Sequence, residues 1–64
     1  MQPHQQRVVD EKAELDEKRA KLAAFIRTEI FDALPQKEKD LLRHQSFHMG
    51  AYSDILGARI AAFS

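Results

Sequence analysis

The chain has no cysteine and no tryptophan, a single tyrosine, two glycines, two prolines, and no excess of charge of either sign. Without cysteine, disulfides and thiolate metal sites are excluded, and a reducing intracellular setting is the natural expectation. Ten Lys and Arg balance ten Asp and Glu. A general nucleic-acid binder needs a basic excess, because phosphate neutralisation supplies most of its affinity, so that class is not expected. No apolar run approaches the roughly 20 residues a spanning helix needs. The opening MQPHQQRVVDE turns charged at once and does not read as a signal peptide. The expected location is the cytoplasm, away from membranes.

Sixty-four residues make one small domain. A chain of this size buries only about 60% of the surface its unfolded form exposes, so its core is marginal. Such domains are held by disulfides, metals, tight helix packing or oligomerisation.

The few breakers punctuate the chain cleanly. Pro3 lies near the start, and Pro35 in FDALPQKEKD is the one internal proline. Proline suits a first helical turn, and the residue before it avoids helical backbone. Glu38 and Asp40 then favour the positive end of the helix dipole. The pattern predicts one domain over 1–64, with a first helix at about 5–31, a turn at 32–35 and a second helix at about 36–62. So short a turn makes the helices antiparallel neighbours. The expected fold class is all-α: an antiparallel two-helix hairpin that assembles into a homo-oligomeric helical bundle.

Val8, Leu15, Leu22, Ile26 and Ile30 fall on one narrow stripe of the first helix at about 100° per residue. The rest of that helix is charged, with Glu14 and Glu17 each four residues before a lysine, as a solvated face requires. On the second helix, Leu42, Met49, Leu56 and Phe63 form a heptad series, with Gln45, Tyr52 and Ile60 placed beside it. Val8, Leu15, Leu22, Ile26, Ile30, Leu42, Met49, Leu56, Ile60 and Phe63 form the predicted hairpin core.

The second helix is also apolar on its other side. Phe47, Ala51, Ile55, Ala58 and Ala62 cluster there, and from Phe47 to Phe63 the only charges are Asp54 and Arg59. A helix apolar on two sides is buried on two sides, and a hairpin supplies only one neighbour. Gly50 and Gly57 each cost about 1 kcal/mol inside a helix, which fits a close approach by another helix. Phe47, Gly50, Ala51, Ile55, Ala58 and Ala62 are therefore the predicted oligomer interface, of a dimer or higher assembly.

LLRHQSFHMGAYSDIL places His44, His48 and Tyr52 at i, i+4, i+8. Two histidines at this spacing can share a zinc, but no third ligand is spaced nearby, so no metal is expected. The simpler reading puts them at an interface edge. Gln45, Tyr52 and Arg59 recur every seven residues. They read as a polar ladder that sets register, or as a pocket in which an aromatic ring stacks a base and a guanidinium holds a phosphate. The candidate ligand-binding set is Arg43, His44, His48, Tyr52 and Arg59. Ser46 and Ser53 have no base and cleft around them, so no catalytic residues, cofactor or enzyme activity are expected.

HQQRVVDEKAELDEKRAKLAAFI, followed by the spaced pattern of Phe31, Leu34, Glu38, Leu42, Gln45, Met49, Tyr52, Leu56, Arg59 and Ile60, resembles a widespread family of short, mostly uncharacterised proteins of tailed bacteriophages and prophages, with relatives in crAss-like phages. The resemblance covers nearly the whole chain. It implies a small phage accessory protein of the host cytoplasm, of a size often devoted to counter-defence. Two binding roles then stand open: sequestering a nucleotide-type immune signal, or blocking a host defence or regulatory protein. A small scaffold for a phage assembly comes third.

Overall fold

The computed structural model describes residues 1–63. Its elements are α1 (Pro3–Ile26), α2 (Glu29–Asp32) and α3 (Gln36–Ala61). Pro3 opens α1 at the position where a missing N–H costs nothing, and the Gln2 backbone N–H donates to Gln5 Oε1 at 2.9 Å. Pro35, with φ −57° and ψ 148°, enters α3, and its carbonyl accepts from the Lys39 N–H.

The first helix is shorter than its sequence pattern predicts. It ends at Ile26 instead of running to 31, and the chain restarts as the single turn α2. Thr28 causes the break. Its backbone is extended (φ −94°, ψ 159°), and its hydroxyl accepts from the Phe31 N–H at 3.2 Å while donating to the Phe25 carbonyl at 2.7 Å. That is an N-cap, which favours a new helix start over continuation.

The break also changes which side chain faces inward. Ile30, expected in the core stripe, is 69% exposed, whereas Phe31 is fully buried. The Phe31 ring meets Phe25 edge-on at 6.2 Å, and the Arg43 guanidinium lies 5.2 Å from its centroid. Phe31 thus plugs the closed end of the hairpin.

α1 and α3 run antiparallel as a rod whose Cα positions span 47 × 14 × 13 Å. Val8 and Leu56 are buried, and Leu15, Leu22, Ile26, Leu42, Met49, Ile60 and Phe63 are half-buried along the seam. The partners of the Leu42–Met49–Leu56–Phe63 series are not Gln45 and Tyr52, which are exposed. Ser46, Ser53 and Ile60 alternate with that series, and Ser53 is fully buried. Spacings of four and three along 42, 46, 49, 53, 56, 60 and 63 make a regular heptad seam. On α1 the matching series 5, 8, 12, 15, 19, 22 and 26 is covered to the same degree, and it includes Lys12 and Arg19.

Candidate binding surfaces

Two surfaces carry polar chemistry. The first lies in the seam. Asp16 Oδ2 accepts from Lys12 Nζ at 2.6 Å, and Asp16 Oδ1 accepts from Arg19 Nη1 at 3.0 Å and from Ser53 Oγ at 2.6 Å. These bonds, led by that from Lys12 and followed by those from Ser53 and Arg19, hold the Asp16 carboxyl well below the usual carboxylate range, with partial burial opposing. The cluster satisfies the buried Ser53 hydroxyl and ties α1 to α3. Its one bond between the two helices joins Ser53 to Asp16, so it reads as a register lock.

The glycines belong to this lock. A Cβ at Gly50 would sit 3.4 Å from Arg19 Nη2, and one at Gly57 would sit 3.4 Å from Lys12 Cε. Both glycines therefore lie toward α1, beside two long cationic side chains that a Cβ would touch at ordinary contact distance. Gly50 does not lie on the outer side of α3 where the interface pattern placed it.

The second surface is that outer side. Phe47 is 72% exposed and Ile55 is 59% exposed, with Ala51, Ala58 and Ala62 also open to solvent. His44, His48, Tyr52 and Arg59 are exposed along the same side, and the His48 ring meets Phe47 edge-on at 5.4 Å. On a helical projection at about 100° per residue, His48, Tyr52 and Arg59 share a strip along one margin of this face. Arg43 does not join them. It projects to the opposite flank, over Phe31, with Asp40 Oδ1 3.8 Å from its Nη1.

The Asp16 cluster was missed by pattern reading. Its signal was present: two cations and two serines occupy seam positions of otherwise apolar heptads. Counting both heptad series instead of the apolar residues alone finds them.

Among the described residues there is no cavity, no group of three or more His, Cys, Asp or Glu able to hold a metal, and no helix long and apolar enough to cross a membrane. A single hairpin thus offers two open margins on α3 and a polar cluster along the seam.

These features define a small helical-hairpin protein with one helix face uncovered. The chain belongs to the Sequestin family, whose model matches residues 2–62. Neither the curated proteins nor the solved structures contain a match to it.

Proposed function

We propose that this protein is a non-enzymatic, phage-encoded counter-defence factor that acts in the host cytoplasm, as a homo-oligomer, by sequestering a nucleotide-type immune signal. The observation that carries the proposal is the exposed strip of His48, Tyr52 and Arg59 beside the uncovered apolar face of α3. Tyr52 offers an aromatic face to a base, and Arg59 offers a planar fork of donors to a phosphate. A single hairpin has no cavity among its described residues, so the pocket forms where copies meet. The family's name, Sequestin, fits a protein that withholds something from its surroundings.

A stoichiometric block on a host defence or regulatory protein is the second reading. It is favoured by the exposed Phe47 and Ile55, which would suit a protein partner as well as a second copy.

Native mass spectrometry of the protein purified from its bacterial host tests the choice. The expected spectrum is a multimer carrying a phosphate-containing adduct, lost when Tyr52→Ala and Arg59→Ala are combined while the multimer persists. A multimer that never carries such an adduct, even after incubation with a nucleotide pool, removes the sequestration reading and leaves the protein target.

A further inference from the structure

We infer that a second copy of the chain covers the outer face of α3, packed antiparallel in one set register. The inference rests on the assembly part of the preceding reading, not on its ligand.

His44, His48, Ala51, Ile55, Ala58 and Ala62 follow one another at alternating spacings of four and three residues, and all six are exposed. This is a second heptad seam, roughly opposite the one that meets α1. Its large and small residues are placed so that the pattern complements its own reverse. The bulky imidazoles lie toward the start of α3 and Ala58 and Ala62 toward its end, with Ala51 and Ile55 between them.

That complementarity discriminates orientation. With two α3 helices antiparallel and centred near Ser53, His44 packs on the partner's Ala62, His48 on the partner's Ala58, and Ala51 on the partner's Ile55. Every layer then pairs one large side chain with one small one, as interdigitating knobs and holes require. A parallel pair sets histidine on histidine and alanine on alanine, alternating crowding with voids.

The open surface of the hairpin leaves room for a second copy as the occupant. The hairpin exposes 4949 Å². A compact monomer of this length exposes about 4,200 Å². The rod shape thus leaves roughly 700 Å² more surface open than a compact chain of this length would, and a standard interface takes roughly 800 Å² from each partner.

The register has a consequence for the exposed strip. Tyr52 of each copy comes beside the partner's Tyr52 near the two-fold axis, and Arg59 comes beside the partner's Gln45. Each copy thus contributes to one continuous aromatic and cationic margin.

The natural absence of cysteine makes the test clean. His48→Cys and Ala58→Cys are prepared separately, mixed and mildly oxidised, with circular dichroism confirming helicity in each. A disulfide closes only when Cα atoms come within about 7 Å. The expected main product is the mixed disulfide between the two variants. A His48→Cys homodisulfide as the main product overturns the orientation in favour of parallel pairing. Absence of any disulfide, with wild-type protein sedimenting as a monomer, overturns the second copy and assigns the face to another protein. Neither readout involves a ligand, so a mixed disulfide without a nucleotide adduct retains this pairing and removes sequestration.

Discussion

Ser53 Oγ donates to Asp16 Oδ1 at 2.6 Å across the middle of the hairpin, the only side-chain hydrogen bond between α1 and α3 among the described residues. Ser53 is 1% exposed, whereas the Asp16 side chain keeps 37% of its surface in water. The bond is therefore anchored in the seam at one end and open to solvent at the other. Apolar heptads alone would allow the helices to slide by a turn. A hydroxyl satisfied at only one position penalises that slip.

Replacing Ser53 with Ala is expected to cost about 1 kcal/mol in denaturant unfolding. The more diagnostic measurement is a double-mutant cycle with Asp16→Ala, which leaves the hydroxyl no acceptor. Non-additivity between the two changes is expected, because they share one bond. Strict additivity would show that the contact does not couple the helices.

Stability should fall in acid because of Asp16. Its carboxyl is held below the usual range in the folded state, and an ordinary aspartate titrates near pH 3.9, about the unfolded value. A depressed folded pKa contributes stability that is full above the unfolded value and is lost as pH falls toward the folded one. The thermal midpoint is thus expected to drop as pH is lowered from about 5 toward 2. Asp16→Asn should remove part of that slope, and an unchanged slope in the variant would assign the acid sensitivity elsewhere.

Gly50→Ala and Gly57→Ala should each raise stability by up to about 1 kcal/mol, the helix-propensity gain. The added methyl would meet only the ends of the Arg19 and Lys12 side chains at 3.4 Å, and both can move aside. Oligomer size should not change in sedimentation. Loss of assembly in either variant would return the glycines to an interface between copies.

Phe31→Ala is expected to remove about 3–5 kcal/mol, on the scale of the whole stability of so short a chain, and so to abolish cooperative thermal melting. Thr28→Ala removes only the cap and should cost about 1 kcal/mol. If Thr28→Ala proves the more damaging of the two, the cap rather than the buried ring closes the hairpin.

The inferred pairing of copies predicts that Ala51→Glu and Ala58→Glu lower the sedimenting mass while leaving the hairpin helical. At position 51 the charge would be buried unpaired against the partner's Ile55, at a cost of several kcal/mol, and at position 58 the longer side chain would crowd the partner's His48. An unchanged sedimentation profile for both variants would mean that the outer face of α3 is not an interface between copies.

The sequence by itself determined the two long helices and their antiparallel return. Pro35 can act only as a breaker or a helix start, and the spacing of Leu42, Met49, Leu56 and Phe63 fits only a helix seam. These are local properties of neighbouring residues. The end of α1 at Ile26 was decided by a competition that no local pattern resolves. Thr28 is tolerable inside a helix and good as a cap, and burial of Phe31 against Phe25 and Arg43 favours the cap. The side to which Gly50 and Gly57 turn, and the use of Lys12, Asp16, Arg19 and Ser53 as a lock, depended on the tertiary structure too. Asp16 and Ser53 are 37 residues apart and become partners only once the register of two helices is set. Heptad periodicity specifies which face is buried, but the choice among registers one heptad apart rests on a few polar atoms meeting in space.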